Sequence, residues 1–182
     1  MTDTRKDAAR NRARIVEAAR ELTDRGELLA FNAIARAADV GVGTVYRHFA
    51  TVDGLEEAVV LRRFEELGDI FRNAGQDGLV QVLTAHFTLL TEDALFERVT
   101  ARAVPALAET RAVRNDLLGQ LEQLMNHAAA HGYLRADVNA TTVLLLVCGL
   151  AHAARSAQVR ADSPQGKALL GVILDGLRPV TT

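Results

Sequence analysis

The chain has 182 residues, 49% of them apolar and 24% charged, with a net charge of −2. This reads as a soluble globular protein of one or two domains with a substantial core, and it argues against a protein that is basic all over. The single cysteine, Cys148, excludes an intramolecular disulfide framework and any multi-cysteine zinc site. Three prolines, many alanines and no stretch of β-branched residues alternating with polar ones predict an all-α fold. The polar N-terminus lacks an apolar signal-peptide segment, and the longest apolar run, residues 143–151, is far short of the ~20 residues of a membrane span. A cytoplasmic protein without a membrane partner is expected.

The first dozen residues are charged and read as a frayed end. Arg5, Lys6, Arg10, Arg12 and Arg14 form a basic cluster there, either a phosphate-contacting arm or a solvated helix face. Helix one is predicted over 7–25, with Ile15, Ala19 and Leu22 as its buried stripe and Gly26 as a left-handed terminator. Leu28, Leu29 and Phe31 should plug a small head domain, and Asn32 is placed to cap helix two. Ile34, Ala35 and Ala38 then mark one apolar face. Val40 to Gly43 break that pattern, and two glycines within three residues mark a tight turn. In the short helix predicted over 43–49, Val45 and Phe49 point into the core. Gly43 and Arg47 point the other way, with Thr44 and Tyr46 on the flanks and His48 nearer the core edge. Helix, short turn, helix is the arrangement whose second helix enters the DNA major groove.

The stretch GTVYRHF at 43–49, followed by Thr51 and Leu55, resembles the recognition-helix signature of the TetR family of bacterial transcriptional repressors. RIVEAARELTDRG at 14–26 and IARAADV at 34–40 agree with it. The resemblance implies a DNA-contacting set of Asn32, Ala33, Gly43, Thr44, Val45, Tyr46, Arg47 and His48. Within it, Arg47 is suited to guanine O6 and N7, Thr44 to a thymine methyl, and Tyr46 and His48 to phosphates. One position departs from the family: where a Lys usually approaches a phosphate, this chain has Val52. Residues 1–50 hold nine Lys/Arg against seven Asp/Glu and the rest hold twelve against sixteen, a small skew that suits a DNA-reading head on a mildly acidic body. The domains expected are a helix-turn-helix domain, 1–50, and a helical effector-binding and dimerisation domain, 51–182.

Helix four is predicted over 51–73, with Thr51 as N-cap and Val60, Phe64, Leu67 and Phe71 as a continuous stripe. A loop over 74–78 follows. Helix five, over 79–90, should bury Leu79, Val82, Leu83, His86, Phe87 and Leu90. Helix six, over 92–103, ends before Pro105. The next, over 107–131, turns Leu117, Leu118, Leu121, Leu124, Met125 and Ala128 inward and ends at Gly132. Asn139 can cap a helix over 140–160, and the last runs over 163–177. Residues 143–151 are apolar on every face, so one side should pack on the core and another on a second subunit. TetR-like chains form their homodimer through the two C-terminal helices.

Nothing in the sequence carries a catalytic signature. Ser156 and Ser163 are the only serines, neither lies in a nucleophile elbow, and Cys148 sits in an apolar run. His127 and His131 are spaced to chelate, but no third ligand accompanies them, so no metal and no cofactor is expected. TetR-like bodies commonly hold an effector among helices four to eight. The corresponding lining here is Phe64, Phe71, His86, Phe87, Leu90, Phe96, Arg102, Leu121, Met125, Leu145 and His152, a mostly apolar wall for a small organic molecule. Together these readings give a homodimeric repressor released from a palindromic double-stranded DNA operator by a small effector. The alternative is a helical ligand-binding or scaffolding dimer that has lost DNA binding.

Overall fold

The computed structural model describes residues 2–75 and 78–179, and side chains from Lys6 onward. The Arg5 side chain of the basic cluster, and Gln76 and Asp77 of the expected loop, lie outside the described residues. Among the described residues there are nine helices and no strand. They are α1 (Thr2–Asp24), α2 (Phe31–Ala37), α3 (Val42–His48), α4 (Val52–Asn73), α5 (Leu79–Glu92), α6 (Ala94–Thr100), α7 (Ala108–Ala130), α8 (Ala140–Ser156) and α9 (Pro164–Gly176). They form two compact units: Met1–Arg62 with Ala103–Arg111, and Arg63–Arg102 with Ala112–Thr182. Helices α4 and α7 each run from one unit into the other.

In the first unit, Ile15, Ala19 and Leu22 of α1 bury against a core that includes Ile34, Val45, Phe49 and Leu55. Gly26, at φ +74°, ends the first turn sequence in the left-handed region as expected. Thr51 caps α4, its Oγ1 accepting the Gly54 N–H at 3.1 Å. The connector ahead of α7 is fastened by one side chain. Glu57 is fully buried, and its two oxygens accept the N–H groups of Ala106 at 2.7 Å and Leu107 at 2.8 Å. A carboxylate there satisfies two backbone donors and complements the α7 dipole. Leu107 then lies so close to α4 that a Cβ on Gly54 would meet its Cδ2 at 3.3 Å.

The second unit packs α5 along α8, with α6 and α9 also against α5 and α9 against α8. Val82, Leu83, His86, Phe87 and Leu90 of α5 are buried, as are Val143, Val147, Ala151 and Ala154 of α8. Side-chain caps mark three helix starts. Asp93 accepts from Phe96, Asn139 from Thr142 and Ser163 from Gly166, each on the backbone N–H. Across the unit, Arg155 donates to the Thr91 carbonyl at 2.8 Å.

Several expectations are corrected. The first dozen residues are helical from Thr2 rather than frayed. Asn32 caps nothing, because α2 starts one residue earlier at Phe31, with Ala30 as a bare N-cap. Phe31 sets this start by burying its ring edge-on to Tyr46, centroids 4.8 Å apart. Leu28 is 89% exposed and plugs nothing; Phe31 takes that place. The left-handed residue of the inter-helix turn is Asp39, at φ +49°, and not a glycine. Gly41 has ordinary extended backbone. Helix α8 stops at Ser156 because Gln158 turns left-handed, at φ +56°. Leu118 and Leu124 are only half-buried beside the buried Leu117, Leu121, Met125 and Ala128.

The Glu57 carboxylate makes a sharp stability prediction. Glu57→Gln keeps the shape but replaces one acceptor oxygen with an NH2 donor facing another donor. Urea denaturation should show a loss of about 1–3 kcal/mol. An unchanged midpoint would show that the two hydrogen bonds contribute nothing net.

Candidate nucleic-acid interface and ligand cavity

Helix α3 is positioned by what it buries. Val45 is completely enclosed and Phe49, its C-cap, is nearly so. With these two as the inner edge, helical geometry turns Gly43, Tyr46 and Arg47 outward, and all three are exposed. Thr44 and His48 lie at the margins, half-buried. The Arg47 guanidinium rests on Thr44 Oγ1 at 3.1 Å, so the hydroxyl and the cation form one polar surface. Tyr46 is 60% exposed, its ring in a T-shaped contact with that of Phe31. Gly43 has open space where a Cβ would stand.

Neighbouring elements hold this surface in place. Arg14 of α1 donates to both the carbonyl of Asp39, at 3.1 Å, and its Oδ2, at 3.2 Å. That bracket clasps the turn at its left-handed residue, a conformation Asp tolerates better than most. Arg12 lies over the Phe49 ring, 5.2 Å from its centroid. Two members of the basic cluster are thus engaged in holding the helix-turn-helix, whereas Lys6 and Arg10 are exposed.

The expected DNA-contacting residues divide by placement. Asn32, Gly43, Tyr46 and Arg47 are exposed, and Ala33, Thr44 and His48 are half-buried. Val45 presents no side chain to solvent. Val42, exposed at the first position of α3, was not singled out by sequence; it joins the surface because the helix begins one residue before Gly43.

The second unit contains a cavity of about 260 Å³. It is lined by Phe64, Leu67 and Phe71 of α4, His86 of α5, Thr100 of α6, Arg114, Leu117 and Leu118 of α7, and Thr141, Leu144, Leu145 and Cys148 of α8. Of the expected lining, Phe64, Phe71, His86 and Leu145 meet there. Phe87, Leu90, Phe96, Leu121 and Met125 are buried in the packing around it. Arg102 is not on the lining; its backbone carbonyl accepts from Arg114 at 2.8 Å. His152 was expected in apolar surroundings but is exposed, its Nδ1 3.0 Å from Glu97. Thr100 and Arg114 are polar residues on stripes read for their apolar members, although helical spacing points to them: Arg114 stands one turn before Leu117 and Leu118, and Thr100 one turn after Phe96.

Burial pushes the Cys148 thiol above its ordinary range, which keeps it protonated and unreactive. Burial also lowers His86 to about 4, so the imidazole facing the cavity is neutral. The His127 and His131 rings lie tilted by 36° with centroids 4.1 Å apart, and His131 Nδ1 lies 2.9 Å from the His127 carbonyl. Among the described residues no group of three or more His, Cys, Asp and Glu side chains gathers to hold a metal. Among them also, no helix is long and apolar enough to cross a membrane.

Comparison with known proteins covers both units. The family model "Bacterial regulatory proteins, tetR family" matches residues 15–59. The model "Transcriptional regulator SbtR-like, C-terminal domain" matches residues 76–179. Three solved structures illustrate the likeness. A TetR transcription regulatory protein from Mycobacterium vanbaalenii is 28% identical, with 97% of this chain and 99% of that one aligned at a TM-score of 0.52. A tetR family transcription regulator from Shewanella sp. PV-4 is 18% identical, with 93% and 99% aligned at 0.66. RolR, solved with its ligand resorcinol, is 19% identical, with 96% and 91% aligned at 0.65. No curated protein matches the chain.

The depressed His86 predicts acid sensitivity. Between pH 6.5 and about 4 the unfolded chain binds a proton at this residue that the folded chain refuses. Its contribution is therefore complete above pH 6.5 and is lost as pH falls toward 4. Urea midpoints should report a loss of about 2 kcal/mol between pH 7 and pH 5 from this group. His86→Leu should flatten that part of the profile, and an equal slope in the variant would assign the effect to other groups.

Proposed function

This chain belongs to the TetR family of bacterial regulatory proteins and is a DNA-binding transcriptional regulator rather than an enzyme; from that premise we propose a homodimeric repressor released from a palindromic operator by a small organic effector. The observation that carries this reading is the exposed polar face of α3, held rigid by the buried Val45 and Phe49. Each subunit would lay α3 in one major groove, at half-sites one helical turn or a small multiple apart. Arg47, with Thr44 beside it, reads base edges. Tyr46, His48, Asn32 and Ala33 meet the backbone, and Gly43 lets the DNA approach closely. Val45 contributes by seating the helix. This division of labour puts the reading head at residues 1–50 and the sensing and dimerising body at 51–182, in the cytoplasm.

Regulators of this family dimerise and bind small molecules. The surface supporting dimerisation through α8 and α9 is apolar and open. Leu145 is 70% exposed, Leu146 49% and Val172 74%, with half-buried Leu150, Leu169 and Ile173 between them. Such a patch is characteristic of a protein interface. The cavity of the second unit is the effector site in this reading. To release DNA, the effector must prefer the conformation that does not fit the operator, since equal affinity for both shifts nothing. Helix α4 lines the cavity at Phe64 and Phe71 and is capped next to α3 at Thr51, so the chain itself offers a lever. Val52 in place of the usual Lys favours a dimer without DNA binding, but the match of residues 15–59 to a DNA-reading family weighs against it.

Two experiments test this. The protein should retard the DNA just upstream of its own gene over a scrambled duplex, with an affinity that falls steeply as salt rises. Arg47→Ala should weaken that preference by roughly 1–3 kcal/mol while sparing non-specific binding. Equal binding of both duplexes at every salt concentration would favour the sensor without a DNA role. In sedimentation, the wild-type protein should be a dimer at micromolar concentration and Leu146→Asp combined with Val172→Asp a folded monomer. A dimer that survives both charges would place the interface elsewhere.

A further inference from the structure

We propose that the cavity selects an apolar monocarboxylic acid, holding its carboxylate on Arg114 and Thr100 and its hydrocarbon body against Phe64, Phe71 and Leu117. This assignment rests on the reading of the cavity as the effector site, and specifies the ligand that it takes.

The lining carries its polarity at a few points. Arg114 spends one N–H on the Arg102 carbonyl and makes no ion pair with a described carboxylate. A guanidinium lining an apolar space with donors to spare is matched in geometry and charge by a carboxylate. Thr100 is the second observation. Its Oγ1 is buried and has no hydrogen-bond partner. The threonines of α5 behave differently: Thr84, Thr88 and Thr91 donate to the carbonyl one turn back, at 2.7, 2.8 and 2.9 Å. Thr100 leaves that bond unmade while lining the cavity, so its hydroxyl is available to a ligand. His86 is buried on the same lining, and a neutral imidazole can donate one further hydrogen bond without adding charge.

The remaining walls set the body of the ligand. Phe64, Leu67, Phe71, Leu117, Leu118 and Leu144 offer no polar group. An apolar cavity of about 150 Å³ takes benzene, so about 260 Å³ suits one ring with a short side chain or a medium acyl chain. Among the described residues no Asp or Glu lines the space, so an amine would meet Arg114 without a counter-charge on the wall. A phosphate would find one arginine and a hydrocarbon wall.

The test is calorimetry on the full-length protein with 3-phenylpropanoate and octanoate, against the matching alcohols and octylamine. The acids should bind at least tenfold more tightly than the alcohols, and the amine should not bind. Arg114→Gln should erase the acid preference while leaving alcohol affinity within a few-fold. Arg114→Lys, a milder change should Gln impair folding, should keep part of the preference. Thr100→Val should weaken the acids severalfold, and Leu144→Trp should block both classes. Alcohols binding as tightly as acids would overturn the carboxylate assignment but leave the cavity as the ligand site. So would an acid preference that survives Arg114→Gln. Acid binding untouched by Leu144→Trp would place the site elsewhere, and no binding by any probe would overturn this assignment together with the effector-site reading beneath it.

Discussion

The burial of Val45 and Phe49 is the constraint on which the first unit turns. A helix of seven residues is too short to be stable by itself, so α3 exists because its inner edge is packed. Once those two side chains are enclosed, the outward direction of Gly43, Tyr46 and Arg47 follows from helical geometry. The rest of the unit reinforces that seating. Arg12 covers Phe49, Arg14 brackets the Asp39 turn, and Phe31 supports Tyr46 from the side. Cations of α1 that could have served only as a solvated arm are engaged in holding the reading surface.

Polar groups inside the two units are handled in contrasting ways. Glu57 is buried with both oxygens accepting backbone donors, and the caps at Asp93, Asn139 and Ser163 close helix starts in the same manner. Among the described residues two buried hydroxyls lack a partner, Thr100 on the cavity lining and Thr110 away from it, and Arg114 donates to a backbone carbonyl. An unpartnered hydroxyl that lines a space is open to a ligand, which Thr110, away from that lining, is not. Helix α8 faces two environments. Val143, Val147 and Ala151 are buried in the subunit core, and Leu145 and Leu146 stand in solvent. An aqueous surface does not reward that arrangement, and a second copy of the chain would.

Much of this was legible in the residues alone. Apolar spacing located every helix, because a stripe at 3.6-residue period has few other solutions. Gly26, Thr51 and Asn139 marked ends through local chemistry that needs no tertiary context. The outward set on α3 followed from the single fact that Val45 and Phe49 are apolar and four apart. Where local signals competed with packing, packing won. Asn32 is a good cap by type, yet burial of Phe31 against Tyr46 started α2 before it. The glycines at 41 and 43 suggested the turn, but Asp39, bracketed by Arg14, adopted the left-handed conformation.

The cavity lay largely beyond the sequence. Phe64, Phe71, His86 and Leu145 could be nominated as apolar or aromatic residues on inward faces, but so could Phe87, Phe96 and Leu121, which the structure packs solid. Thr100 and Arg114 lie on inward stripes, one turn from Phe96 and from Leu117, but a polar residue on such a stripe can equally turn to solvent at its edge, and spacing does not tell the two apart. The sequence by itself determined the all-α class, the helix-turn-helix and its outward face, since these depend on residue type and spacing within one or two turns. Tertiary structure alone decided which inward residues line a space and which fill one. That depends on how side chains from α4 to α8 meet, and no single helix carries the volume its neighbours leave empty.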